Sequence, residues 1–557
     1  MVASIAFVGA GPTTLYTLAA LLRRGPGACR ITVLEEQSIA GPGAPYRPGW
    51  NDPAMLSNIA SIEIPPLGET LLDWLGRQSA SEISAMGVAA TGLDARTFVP
   101  RLAIGRYFRD QFDALIARGR AGGLDIDVRT GCRVIDARNL PQGLELTVFA
   151  REGDVRQEVF DHVVLATGHQ WPSRQEVRPG YFLSPWPASA LADIAPVHVG
   201  LRGSSLTAID AAVALAGRHG VFQREAGRLV YAPHSGTEAF RLTMMSRKGL
   251  LPEADFYFPV PPAPLSICTP EAIDRLIGLG DGDLLDKAFD LFRRELGAAD
   301  PDYGTAMGLE SATPEIFGEA YFARRAACDP FDWAELNLEE ARRNHAAGIT
   351  VAWRDAILRM HEVVARIVPH LDAAQFDRFN RSLKPVFVDD YGAVPHESIE
   401  RMLALHRAGR LDILALGDDY AIDTRRPEGG AVVRCGEQSV HYPVFIEATG
   451  QRPLGAIQFP FLSLIEQGIV RDDHQGEGEG DDEGAPRGIV IDEAYRTVSD
   501  RMPPDRLFCL GLPFLMGRRP FVQGITSSHE MGEVVGESLA RALSATTDGR
   551  RTFQSAA

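Results

Sequence analysis

Hydrophobic positions along this chain come in short unbroken runs that stop at glycine, separated by stretches with helical spacing. The first run, residues 5–8, predicts a buried strand; it breaks at Gly9-Ala-Gly11, and 13–24 then reads as a helix. Residues 30–35 predict a second strand that ends on Glu35, with Glu36 directly after it. Helices are predicted over 70–77 and 104–118, a strand over 125–129, and a hairpin from 144–149 and 155–159. A further buried strand begins at Asp161 and ends in Ala166-Thr167-Gly168. Residues 38–66 are irregular but too apolar for disorder, and loops of that length usually have a function.

The pattern then recurs. Residues 198–210 again give a strand, a small-residue turn at Gly203-Ser204-Ser205 and an apolar helix, and 442–450 again give a strand ending in Ala-Thr-Gly450. Two turns and two Ala-Thr-Gly strands in alternating order predict one nucleotide domain inserted into another. The fold class is therefore α/β, with two nested Rossmann-like dinucleotide-binding domains and a mainly helical insertion, whose helices are predicted at 273–279, 284–296, 353–368 and 398–406. The boundaries read as 1–175 and 451–544 for the first domain, 190–265 and 406–450 for the second, and 266–405 for the insertion, expected to cap the substrate pocket. An acidic, glycine-rich surface loop is expected at 472–487, a last helix at 530–543 and a flexible tail at 545–557.

Strand, glycine turn, helix and an acid about twenty residues on is the order of a dinucleotide-binding βαβ unit. Gly9 permits the tight turn, and Gly11 lets the backbone approach a pyrophosphate. The phosphates are expected at the helix start, Pro12-Thr13-Thr14, where the dipole favours anions. Thr14 stands where the motif has its third glycine. Glu35 and Glu36 are placed for ribose hydroxyls. In the second turn Ser205 replaces a glycine, and the next strand ends in Ser246-Arg247-Lys248. Cations there suit a 2′-phosphate. Hydrogen bonds to a charged group contribute roughly 1.5–3 kcal/mol each, enough to favour NADPH over NADH about tenfold. The opposing reading is a purely structural second half whose two cations only solvate a strand end. Near the end, a strand stops at Gly511, followed by Leu512.

The 557 residues allow two or three domains, and a formal net charge of −17 gives no long-range pull on nucleic acid or anionic lipid. The six cysteines are scattered, with no C-x-x-C, so disulfide-reductase chemistry lacks its redox pair and no metal site is expected. No apolar run reaches the roughly 20 residues that span a bilayer. The apolar start is a strand rather than a leader, so a cytoplasmic location is expected.

These turns, together with Met55-Leu-Ser-Asn58, Phe98-Val-Pro-Arg101-Leu-Ala-Ile-Gly-Arg-Tyr107, Ala166-Thr-Gly-His169 and Ser246-Arg-Lys-Gly-Leu-Leu-Pro252, resemble a known family. It is the FAD/NAD(P)-binding family related to class B flavin monooxygenases and amino-acid N-hydroxylases such as aspartate N-monooxygenase. The resemblance covers nearly the whole chain apart from the acidic loop and tail. It implies FAD, NADPH, O2 and a small polar substrate: NADPH reduces FAD, and reduced flavin takes up O2 as a C4a-(hydro)peroxide. One oxygen then passes to the substrate. N-oxidation of an amino acid such as aspartate ranks first, and carbon hydroxylation of a heteroaromatic such as urate second. A non-catalytic flavoprotein scaffold or redox-sensing partner is the reading from another class, kept open by Ser205 and by Leu512, where such flavoproteins place an aspartate.

On this resemblance Asn58 donates to the flavin or its peroxide, or is a turn residue. Arg101 binds the FAD pyrophosphate or caps a helix. Arg518 and Arg519 hold a substrate carboxylate or are surface cations. The sequence carries no signature of oligomeric state.

Overall fold

The computed structural model describes residues 2–89, 92–151, 153–280, 282–473, 487–522 and 524–554. Most of the acidic run at 472–487 lies outside the described residues. The chain divides into two compact units, one of Met1–Arg47, Ile59–Gln170 and Gln451–Ala557, the other of Pro48–Asn58 and Trp171–Gly450. Residues 48–58 thus group with the second unit, as do the helical part and the strands after it.

In the first unit, strands Ala3–Val8, Cys29–Glu35, Asp125–Thr130, His162–Leu165 and Leu507–Cys509 form an all-parallel sheet. Ala3–Val8 lies at its centre, between Cys29–Glu35 and His162–Leu165. All six of its residues are buried, which is why the sequence shows an unbroken apolar run and no alternation. Helix Pro12–Arg23 follows, with proline in the first turn, where its missing N–H costs nothing.

The last helix, Ile525–Gln554, lies against Pro12–Arg23. A Cβ on Gly532 would come 2.8 Å from the Thr17 nitrogen, and one on Gly536 2.6 Å from the Ala20 Cβ. This helix starts earlier than the sequence predicts and continues through 545–554, read from sequence as a tail. Nucleation is the costly step, so a helix anchored along its length extends cheaply.

Before His162–Leu165 come three antiparallel strands, Cys132–Leu140, Gly143–Ala150 and Val155–Phe160, where the sequence predicts a hairpin. A register shift between Val134 and Asp136 interrupts the alternation of the first, so period-two reading misses it.

The second unit repeats this order. His198–Arg202 has Arg241–Ser246 on one side and Val444–Glu447 on the other, both parallel to it. Leu411–Ala415 extends the sheet beyond Arg241–Ser246, while Tyr181–Phe182 and Glu176–Arg178 extend the other edge. A second meander, Tyr420–Asp423, Ala431–Cys435 and Gln438–Tyr442, precedes the returning strand, as in the first unit.

Between the two halves of this sheet the chain is helical. The predicted helices are present as Pro270–Leu279, Leu284–Ala299, Ala352–Ala365 and His396–Arg407. Others were legible only by their starts: Pro314–Ala326 and Pro330–Ala347 begin with proline after the capping residues Thr313 and Asp329. Phe331, Leu338 and Ile399 from these helices share a core with Leu201, Ile209 and Leu242 of the sheet half.

Candidate functional site

In the first unit three adjacent strand ends converge. Gly9 has φ +99°, a backbone that strongly favours glycine. A Cβ there would overlap the Ala166 carbonyl oxygen and lie 3.0 Å from its carbon. The Ala166 amide donates to Val8 O at 2.9 Å, and Leu510 N donates to Leu165 O at 2.8 Å. A Cβ on Gly511 would sit 3.1 Å from Thr167 Oγ1, whereas one on Gly168 would meet no atom of the described residues within 4 Å. Cys29–Glu35 and Asp125–Thr130 are added on one side of Ala3–Val8, and the later strands His162–Leu165 and Leu507–Cys509 on the other, so the strand order reverses there. Ligands of open α/β sheets bind at the carboxyl ends of such strands.

Thr14, in the third-glycine position, is fully buried and donates from Oγ1 to Gly9 O at 2.6 Å. The substitution therefore pins the turn. Gly11 is tight against the chain itself: a Cβ on it would lie 3.2 Å from the Gly43 Cα. Pro12 has no N–H, and the Thr13 and Thr14 amides find no acceptor among the described residues, so they are available to an anion. The Thr13 and Ser528 hydroxyls lie 3.1 Å apart.

Glu35 accepts from the Ala10 amide at 2.8 Å through Oε2 and from Gln37 N at 2.9 Å through Oε1. Burial raises its carboxyl pKa, opposed by those two amides and by Arg47. Each oxygen keeps a lone pair for a ribose hydroxyl. Glu36 is exposed, 3.8 Å from Arg133, on the solvent side. Sequence reasoning missed Arg47, although it is the only cation in 38–66. Burial lowers its pKa, with Glu35 and Glu36 opposing.

Arg101 opens helix Arg101–Ala121, where a cation opposes the helix dipole unless an anion is near. His169 follows Gly168. Burial, and then the Arg101 charge, lowers its pKa to about 4, so the ring is neutral at pH 7.

The second unit builds the same joint. Gly203 has φ +137°, and a Cβ on it would overlap the Ala448 oxygen and lie 2.8 Å from its carbon. Ala448 N donates to Arg202 O at 2.8 Å. Among the described residues, only Thr207 Oγ1 comes within 4 Å of a Cβ on Gly450, at 3.8 Å. The serines behave differently. Buried Ser204 donates to Leu250 O at 2.6 Å and shares a hydrogen bond with Ser246 Oγ at 2.9 Å, and Ser246 Oγ accepts from Gly249 N. Both hydroxyls, expected on a nucleotide, hold the 246–250 turn.

Ser205 is exposed and begins helix Leu206–His219 without a side-chain cap. Arg247 is exposed, and the Lys248 ammonium lies 4.3 Å from the Phe322 ring centroid. Burial lowers the Lys248 pKa, and Arg247 lowers it further.

The remaining candidates are scattered. Asn58 is exposed and belongs to the second unit. Arg518 pairs with Asp473 at 3.1 Å and donates to Ile491 O. Arg519 pairs with Glu493 at 2.7 Å and lies over the Tyr495 ring. Leu512 is buried in the first unit's core. Among the described residues no group of side chains suits a metal, all six cysteines are free thiols, and no helix is long and apolar enough to cross a membrane.

Residues 6–170 match the FAD-NAD(P)-binding family model, and 269–391 match the YdhS-like middle domain. Fold and site together define an FAD-NAD(P)-binding protein. Over 544 residues the chain is 41% identical to the uncharacterized protein YdhS of Escherichia coli (strain K12), spanning 97% of this chain and 98% of that one. It belongs to this YdhS-like family.

Among solved structures, the ornithine hydroxylase PvdA of Pseudomonas aeruginosa is 15% identical, with a TM-score of 0.50 over 98% of this chain and 100% of that one. The ornithine N-hydroxylase KtzI of Kutzneria sp. 744 is 14% identical, with a TM-score of 0.51 over 97% and 100%. DfoA of Erwinia amylovora, a cadaverine monooxygenase, is 12% identical, with a TM-score of 0.50 over 97% and 94%. At this identity the likeness is one of fold.

Proposed function

We propose that the chain is an NADPH- and O2-dependent flavin monooxygenase that oxidises a small polar metabolite, with the nitrogen of an amino acid such as aspartate as its target. One observation carries this reading: the Gly9–Ala166 joint recurs at Gly203–Ala448, so one chain has two crevices of the same design. Solved structures of the same fold support it, among them an ornithine N-hydroxylase with reduced FAD, NADP+ and L-ornithine, and a cadaverine monooxygenase with FAD.

The first unit takes FAD. The Thr13 and Thr14 amides meet its pyrophosphate, with Arg101 as counter-charge, and Glu35 receives the ribose hydroxyls. The small residues at Ala166-Thr167-Gly168 and Gly511 let the backbone come close. The second unit takes NADPH between Gly203–Ser205 and Gly450, with Arg247 and Lys248 on the 2′-phosphate. Bound FAD supplies the hydride acceptor and the oxygen chemistry, and the protein positions it and excludes water. Arg518 and Arg519 already face Asp473 and Glu493, which leaves them little for a substrate carboxylate.

The closed Ser204–Ser246–Leu250 network favours the alternative of a flavoprotein scaffold. The test is to purify the protein, record its flavin absorbance, and follow NADPH and O2 consumption with candidate amino acids. Substrate-dependent oxidation supports the monooxygenase, and product analysis then separates nitrogen from carbon as the oxidised atom. A yellow protein whose flavin neither NADPH nor NADH reduces overturns it.

A further inference from the structure

Behind the Arg247–Lys248 turn lies a buried ion cluster. Arg325 donates to Leu251 O at 2.7 Å and pairs with Asp389 at 2.5 Å, and its Nε lies 3.7 Å from Glu253. Arg354 pairs with Glu253 at 2.9 Å and approaches Asp390 at 3.5 Å. Arg325, Arg354, Glu253 and Asp390 are all at most 6% exposed.

Burying so many charges is a poor way to stabilise a core, since well-packed apolar residues of similar volume often do as well or better. What ion pairs and their hydrogen bonds add is direction. Here they aim at one segment. Arg325 holds the Leu251 carbonyl, and Phe322, one turn earlier on helix Pro314–Ala326, lies under the Lys248 ammonium. Ser204 takes the Leu250 carbonyl from the glycine-turn side. The stretch 248–251 is therefore gripped between the nucleotide turn and the helical part of its own unit.

We propose that Phe322 and the Arg325–Asp389 pair are positioning residues that hold Arg247 and Lys248 where they select NADPH over NADH. This rests on the reading that those two cations meet the 2′-phosphate. Lysine and arginine side chains lose considerable rotamer freedom when fixed, and a preformed support carries that cost before the nucleotide arrives.

The test uses the FAD-loaded full chain and measures NADP+ and NAD+ affinity by calorimetry, together with hydrogen exchange of 246–253. Two variants are compared: Phe322→Leu, which keeps an apolar side chain, and Arg325→Met/Asp389→Asn, which removes both charges of a pair. Each should weaken NADP+ by about fivefold to tenfold, leave NAD+ within about twofold and speed exchange in 246–253. Unchanged NADP+ affinity in both variants, or equal loss of both nucleotides, overturns the proposal. Arg247→Ala/Lys248→Ala separates the two levels. If it leaves NADP+ affinity intact, the 2′-phosphate reading falls. If it alone weakens NADP+, only the positioning role falls.

Discussion

Gly203 meets Ala448 through the backbone, with no room for a Cβ between them, just as Gly9 meets Ala166. An alanine at 203 faces both the positive φ and the Ala448 carbonyl, a strain of about 1–3 kcal/mol for the backbone alone. Gly203→Ala is expected to retain yellow colour and lose NADP+ binding. Gly9→Ala is expected to purify without flavin. Flavin absorbance and NADP+ calorimetry on the two proteins check both.

Thr14 makes a prediction that runs against the motif. Thr14→Gly restores the third glycine of the fingerprint, yet it removes the hydrogen bond to Gly9 O and puts glycine into helix Pro12–Arg23. A lost buried hydrogen bond and the helix penalty together cost about 2 kcal/mol. The variant should unfold at a lower temperature than the parent, and an equal or higher melting temperature refutes this role for Thr14.

His169 should make stability depend on pH. Its folded pKa is about 4, against an ordinary value of 6.5. As pH falls through 6.5 the unfolded chain binds a proton that the folded chain refuses. This contribution is therefore complete above about pH 7 and lost toward pH 4, at most about 3 kcal/mol in all. Between pH 7 and pH 5, His169→Gln should lose less stability than the parent by about 2 kcal/mol. Thermal melts at the two pH values measure the difference.

Arg518 and Arg519 separate by burial. The Arg518–Asp473 pair is mostly buried, with side chains 19% and 11% exposed, whereas Glu493 opposite Arg519 is 81% exposed. Arg518→Ala should destabilise by about 1–3 kcal/mol, because it strands Asp473. Arg519→Ala should fall within about 0.5 kcal/mol of the parent. A raised substrate KM with unchanged stability in Arg518→Ala would instead restore the residue to the substrate site.

Much of this fold was readable residue by residue. Ile5 to Val8 had to be apolar throughout, because a central parallel strand is covered on both faces. Gly9 and Gly203 were recognisable because their turns strongly favour glycine. The strand Cys132–Leu140 escaped because its bulge breaks the alternation that marks a strand. Helices such as Pro314–Ala326 and Pro330–Ala347 escaped as individuals, although a threonine or an aspartate followed by proline announced their starts.

By itself the sequence determined the two nested α/β cradles, their turns and the acid closing the second strand, since periodicity, glycine and strand ends act over a few neighbouring residues. It could not say that Gly11 rests on Gly43, that Ser204 closes on Leu250, or that Arg325 finds Asp389 from 64 residues away. Those pairings were decided by tertiary structure alone. An apolar or charged pattern encodes whether a side chain is buried, while its partner is set by how distant segments are brought together in space.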